Sequence, residues 1–264
     1  MFKFTPRLLR LMSYYNIANL GHGAKEDKLG DVYEDYIVEL FSDPILLEKA
    51  KSCELNIYNT DEYIYNKIIS RDIFPYAKKI YNMSATRNIQ PRITGGNPKT
   101  DVIVDVEIDD GIIQIPISIK QTTAPKVAMA EFDVDTIVNE IGITDQILIK
   151  YLEKHQRDAS ARYFTAEEKQ DLTRRLQPYA FNFVRWVVSG TPQPTSDLRF
   201  PELLVKFLLN RNDDITNFNC FTIDEYVKTL MYDRFGNPKK GGFGTGLGWT
   251  YATGSKGKKI QFKG

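Results

Sequence analysis

The sequence predicts an α/β fold: a mixed central β-sheet flanked by helices, with a basic, glycine-rich C-terminal arm packed against it. Three observations predict this. Residues 101–109 and 112–120 form two strand-like runs joined at Asp110-Gly111, and an Asp-Gly step between alternating apolar runs marks a two-residue hairpin turn. Leu29, Val32, Tyr33, Tyr36, Ile37, Leu40 and Phe41 recur at helical spacing, the stripe of a helix that buries one face. Residues 203–209 form a short apolar run suited to a strand buried on at least one face.

The first helix spans 25–41, and Asp43-Pro44 closes it. Residues 44–83, rich in Tyr and Ile, read as mixed helix and loop. Residues 94–98 read as a turn leading into the hairpin. If Asp110 and Gly111 are the hairpin loop, Asp109 pairs with Ile112 and Asp101 faces Lys120. Directly opposed residues share a face, as do residues two apart on one strand. Asp101, Ser118 and Lys120 therefore converge. Residues 121–126 read as a loop broken by Pro125, and residues 128–141 and 144–157 as helices. Thr165-Ala166-Glu167-Glu168 is a capping box opening a helix that reaches Val188 with a break near Pro178. Residues 191–196 form a connector, and Thr222-Ile223-Asp224-Glu225 is a second capping box, starting a helix to about Tyr232. Residues 241–249 hold five glycines in nine, a density that costs stability unless close approach or unusual dihedrals require it.

Composition narrows the class. The chain has 264 residues, 42% hydrophobic and 26% charged, as in an ordinary globular protein. No run approaches the ~20 apolar residues of a membrane span, and the N-terminal residues lack an apolar signal core, so an intracellular location is the expectation. The two cysteines, Cys53 and Cys220, read as buried free thiols rather than a disulfide. The formal net charge is only +1, but it is unevenly spread. Arg234, Lys239, Lys240, Lys256, Lys258, Lys259 and Lys263 lie in 234–264 without a single acid, leaving 25–233 acidic. A basic arm on an acidic body suits a polyanion such as nucleic acid. Phe243, Trp249, Tyr251, Ile260 and Phe262 in the arm argue against a disordered tail.

Several chemistries drop out. There is no Walker-type phosphate loop, no HExxH helix and no Cys/His cluster for zinc. A Ser-His-Asp triad would have to use His22, which reads as a loop residue, or His155, which sits in a polar stretch and reads as surface. The hairpin suits a hard cation instead. Magnesium takes oxygen ligands, often only one or two of them protein carboxylates, with water and phosphate oxygens completing the shell. Asp101 can supply such a ligand. Lys120 can stabilise charge on a phosphate and orient an attacking hydroxide. Ser118 is too weakly basic to be a strong ligand and is expected to hold a water. The plain alternative is an exposed cross-strand ion pair between Asp101 and Lys120, worth little.

Pro98, Asp101 and Ser118-Ile119-Lys120 resemble the PD-(D/E)xK nuclease signature. Two departures are clear: the proline precedes the aspartate by three residues, and Ser118 replaces the usual second acid. Longer stretches are similar to type II restriction endonucleases. These are 95–101, Ala130-Glu131-Phe132-Asp133-Val134, Lys154-His155-Gln156-Arg157-Asp158, 242–252 and 255–264. The resemblance covers most of the chain and is weakest around 44–90 and 190–220. It implies a restriction-endonuclease-like fold in a single nuclease domain over 1–264. The catalytic core would span about 25–190 and a DNA-recognition region about 235–264.

The resemblance implies Mg2+-dependent hydrolysis of double-stranded DNA at CCGG or a close variant, leaving 5′-phosphates. It also implies a cytoplasmic location, a separate cognate DNA methyltransferase, and neither a membrane nor a nucleotide cofactor as partner; monomer and dimer both remain open. Asp101 and Ile119 would be the metal positions, Lys120 the catalytic lysine and Ser118 a further catalytic position. The second acid would be Glu34, on the first helix, or Glu131, at the start of the helix after the hairpin. Thr250, Gln261 and Lys263 would contact base edges, Lys256, Lys258 and Lys259 would contact the backbone, and Ser255 would also bind DNA. Lys126 and Ala128 would lie in a groove-entering loop. Two other readings stay open: a DNA-binding protein that has lost cleavage, and a structure-specific repair nuclease of the same fold.

Overall fold

The computed structural model describes residues 5–71, 79–88 and 99–264; the turn expected at 94–98 lies outside them. In chain order the elements begin with α1 (Pro6–Tyr14), α2 (His22–Phe41), α3 (Pro44–Lys51) and α4 (Thr60–Ile69). Strands β1 (Ile80–Arg87), β2 (Val102–Ile108), β3 (Gly111–Thr122) and β4 (Ala128–Phe132) follow. Next come α5 (Val134–Ile141), α6 (Gln146–Asp158), α7 (Ala166–Leu176) and α8 (Ala180–Ser189). The chain then forms β5 (Leu203–Leu209), β6 (Ile215–Thr222), α9 (Ile223–Met231), β7 (Gly248–Thr250) and β8 (Ile260–Lys263). These elements gather into two compact units, Met1–Pro125 with Ser196–Thr222, and Lys126–Thr195 with Ile223–Gly264.

The first unit is built on a five-stranded sheet in the order β1-β2-β3-β5-β6. Only β3 and β5 run parallel, so the sheet is mixed, as expected. The apolar stripe of α2 forms as its spacing predicts: each of its seven members is at most 1% exposed. Burying side chains of this size contributes ~1.5–3 kcal/mol each. The helix packs on β1, β2 and β3, and Tyr33 lies 4.4 Å from the Phe207 ring of β5. Asp43 does more than end α2: its carboxylate accepts from Ile45 N at 2.9 Å and caps α3. Strand β1 falls inside a region the sequence left undivided. Its outer-edge position exposes much of it, so its residues lack a clean apolar alternation.

The hairpin register differs from the expected one. Ile108 pairs with Gly111 and Val102 with Ile117, so the loop is Asp109-Asp110. A type I′ turn, the usual one for two-residue hairpin loops, needs positive φ at both loop residues. Neither aspartate has it; the positive φ, +125°, falls on Gly111, which has no Cβ to clash. Both partners move by one position, so parity is kept. Continuing the register puts Asp101 opposite Ser118 rather than Lys120, with Lys120 two residues further along the same face.

The second unit holds the antiparallel sheet β4-β8-β7. The C-terminal arm thus adds its strands to β4 and not to the central sheet. The helix expected over 128–141 is corrected to strand β4, then α5. Ala128-Met129-Ala130-Glu131-Phe132 has local helical preference, but β8 offers it a strand partner from the far end of the chain, and tertiary pairing overrides propensity. Asp133 divides the two elements, its carboxylate accepting from Thr136 N at 2.8 Å. The Thr165 capping box forms: Thr165 Oγ1 accepts from Glu168 N at 3.2 Å, and Thr165 N donates to Glu168 Oε2 at 2.8 Å. The helix break expected near Pro178 is a single 3₁₀ turn, Gln177–Tyr179.

His155 is not a surface residue but is 0% exposed. Its sequence neighbours are polar, yet it shares the buried face of α6 with Leu148 and Leu152, at the i, i+4, i+7 spacing of one helical stripe. Trp249 and Phe243 close over it, with ring centroids 5.4 and 6.1 Å away. Neither ring nitrogen has a partner among the described residues, and burial pushes the imidazole pKa down to about 4. The folded state therefore holds His155 neutral where the unfolded chain binds a proton. Its stability contribution is complete above pH ~6.5 and is lost progressively as pH falls to about 4. The expected loss is roughly 3 kcal/mol. Denaturant melts between pH 7 and 4 should show His155→Phe losing less stability over that window than the parent. The cysteines form no disulfide among the described residues, as expected, but Cys53 is exposed and Cys220 half-buried, not both buried as expected. No described helix is long and apolar enough to cross a membrane.

Candidate active site

In the first unit, the start of β2 and the end of β3 bring three predicted residues to one carboxylate oxygen. Asp101 Oδ2 accepts from Ser118 Oγ at 3.1 Å, from Ile119 N at 2.6 Å and from Lys120 Nζ at 3.2 Å. Ser118 is fully buried. Its hydroxyl is committed to orienting Asp101, a different task from the water-holding expected of it. Asp101 and Lys120 are each 20% exposed, open enough to meet a ligand and sheltered enough for charge to count. No hydrogen bond or ion pair reaches Asp101 Oδ1 among the described residues.

Glu34 reaches the same place from α2. Burial pushes its pKa up to about 7, the nearby Asp101 charge adding to the effect and Arg87 opposing it. Arg87 Nη2, from β1, contacts Glu34 Oε2 at 2.5 Å and donates to Asp31 Oδ1 at 2.7 Å. Lys99, two residues before Asp101, is electrostatically coupled to the same cluster. Burial and the Lys120 charge pull its pKa down to about 8, while Asp101 opposes the shift. Arg87, Asp31 and Lys99 were not singled out from the sequence. They carry no local motif; the pairing of β1 with β2 and the seating of α2 bring Arg87 and Asp31 to the site, while Lys99 lies two residues before Asp101 in the chain.

Two carboxylates, each with one oxygen outside the contacts made among the described residues, fit magnesium, which needs few protein ligands. Among the described residues no group of three or more His, Cys, Asp and Glu side chains suits a metal, so a softer, protein-caged ion does not fit. Ile119 can contribute only main-chain oxygen, since its side chain is aliphatic and its N–H is given to Asp101.

The second unit holds the remaining predicted residues. Glu131 lies in strand β4 rather than at a helix start, paired with Gln261; Gln261 in turn pairs with Thr250. Ala128 pairs with Lys263. Lys126 Nζ donates to Gly246 O at 2.5 Å. Thr250, Gln261 and Lys263 share one face of the three-stranded sheet, whereas Ile260 and Phe262 fill the other and are 0% exposed. Lys256, Lys258 and Lys259 are exposed on a turn in which Ser255 O accepts from Lys258 N and Lys259 N.

At the scale of the whole chain, the molecule is built as a restriction endonuclease. It matches the crystal structure of restriction endonuclease MspI in complex with its cognate DNA at a TM-score of 0.86 and 34% identity, over 98% of this chain and 99% of that one. The type II restriction enzyme MspI of Moraxella sp is 36% identical over 98% of this chain and 99% of its own. The type II restriction enzyme BsuFI of Bacillus subtilis is 26% identical over 93% of this chain, which spans 61% of that relative. The family described as restriction endonuclease MspI matches residues 14–264, and the chain belongs to it.

Proposed function

We propose that this type II restriction endonuclease hydrolyses double-stranded DNA at CCGG or a close variant in a magnesium-dependent reaction, leaving 5′-phosphates. The observation that carries the reading is the convergence of Ser118, Ile119 and Lys120 on Asp101, with Glu34 electrostatically coupled to the same carboxylate. Asp101 and Glu34 would hold the cation, with the main-chain oxygen of Ile119. Magnesium, when bound, supplies compensation for charge on the phosphate and a more easily deprotonated water. Lys120 is free to turn its ammonium from Asp101 to the phosphate, where it offsets charge that grows in the transition state. Ser118 and the Ile119 N–H keep the Asp101 carboxylate from rotating. Arg87 limits repulsion between Glu34 and its acidic neighbours.

Thr250, Gln261 and Lys263 on one sheet face would meet base edges, and Ser255, Lys256, Lys258 and Lys259 the backbone. Lys126 and Ala128 lie at the start of β4, where a groove-entering loop would leave the first unit; Ala128 has no polar side-chain atom to contact a base. The two units would work as one nuclease domain, in the cytoplasm, beside a separate cognate methyltransferase that protects host DNA. Incubating the protein with plasmid and magnesium tests the reading. Discrete fragments are expected; retarded but uncut plasmid contradicts cleavage, and cutting governed by mismatch or branch structure contradicts sequence specificity.

A further inference from the structure

The three strands β4, β7 and β8 contain one acidic side chain, Glu131. Its position in the sheet is informative. Glu131, Gln261 and Thr250 form one cross-strand row, and Lys263 follows two residues along β8 from Gln261. All four therefore lie on the face opposite the buried Ile260 and Phe262. The Glu131 Oε1 atom is buried and has no hydrogen-bond partner among the described residues. A buried carboxylate oxygen without a donor is costly, which favours turning the carboxylate toward a donor on the open face of the sheet.

The chemistry of a G·C-only sequence identifies that donor. In the major groove guanine shows two acceptors, N7 and O6, which lysine, glutamine and threonine can meet. Cytosine shows one donor, its N4 amino group, and glutamate is the side chain that accepts from it. An ionised carboxylate only accepts. We infer that Glu131 is a specificity-determining residue whose carboxylate accepts from the N4 amino group of a cytosine in the recognition sequence. This rests on the reading of Thr250, Gln261 and Lys263 as the base-contacting row. Glu131 then rejects thymine at that position, because thymine O4 is an acceptor and two acceptors repel. The four side chains together would cover both the donors and the acceptors of G·C pairs.

Glu131→Gln is the test, read by fluorescence anisotropy without metal. Three duplexes are used: one with CCGG, one with the outer C·G pair replaced by T·A, and one with the inner pair so replaced. Glutamine has a donor for thymine O4. The penalty for T·A at one cytosine position should fall about tenfold or more in the variant, with the other position unchanged. Penalties unchanged at both positions would overturn the inference. So would wild-type binding and discrimination accompanied by loss of cleavage in magnesium, which would make Glu131 a catalytic acid. Glu131→Ala, which can neither accept nor donate, should weaken CCGG binding without gaining tolerance for thymine; gained tolerance would also count against it. Lys263→Ala separates the two levels. If wild type and Lys263→Ala bind all three duplexes alike, the base-contacting row itself is wrong and the inference falls with it.

Discussion

Asp101→Asn is expected to bind duplex DNA as the parent does and to cleave it at least about a thousandfold more slowly. The asparagine keeps an acceptor for Ser118 Oγ and Ile119 N, whose bonds to Asp101 Oδ2 are 3.1 and 2.6 Å. The charge that would face a divalent cation is lost. Asp101→Ala is a less clean experiment, because it leaves the buried Ser118 hydroxyl without its acceptor, a cost of ~1–3 kcal/mol in stability. Lys120→Ala should fall by about 10²–10³ in rate with little effect on folding, since its ion pair is partly exposed. Single-turnover cleavage and duplex binding, measured together, separate chemistry from affinity. Near-parental cleavage by folded Asp101→Asn would displace the active site from the hairpin.

Gly246→Ala should be the most destabilising single methyl in the arm. Gly246 has φ +72°, and a Cβ built there would lie 1.8 Å from the carbonyl oxygen of Leu230. That oxygen belongs to the backbone of α9 and cannot rotate aside. The expected cost exceeds ~3 kcal/mol, from strain and forced displacement of packed backbone. The loop between α9 and β7 would have to open, and with it the packing of Leu247, which is 1% exposed. Gly241→Ala is the matched control: nothing lies within 4 Å of its built Cβ and its φ is not positive. Thermal melts should lower Tm sharply for the first substitution and by a few degrees at most for the second. Equal Tm values would mean that the loop follows another path.

The parts of the fold that were legible in the sequence are those set by local spacing. The α2 stripe, β5 and the Thr165 cap are each written within some twenty consecutive residues. The face shared by Asp101, Ser118 and Lys120 was also legible, and it survived a misplaced turn because a shift of one residue on each strand preserves parity. What escaped depends on distant partners. Strand β4 exists because β8 pairs with it, so Ala130 and Glu131 read alone suggest helix. His155 is covered by Trp249 and Phe243 from the far end of the chain; its spacing from Leu148 and Leu152 on α6 pointed inward, but its polar sequence neighbours masked it. Arg87 joins the site only once β1 lies along β2 and α2 packs on both strands. Resemblance to a family pointed to Asp101, Lys120 and Glu34 by position, yet the surroundings that tune Glu34 and Lys99 come from tertiary packing.

The central claim is that the carboxylate of Asp101, gathered by Lys120 and coupled to Glu34, serves sequence-specific phosphodiester cleavage. Sequencing the ends released from random-sequence duplex DNA in magnesium tests it most directly, with Asp101→Asn run in parallel. The account predicts one cut position within CCGG or a close variant, 5′-phosphate ends, and no ends above background from the Asp101→Asn protein. Ends scattered without a shared sequence, or the same ends produced by both proteins, would contradict it.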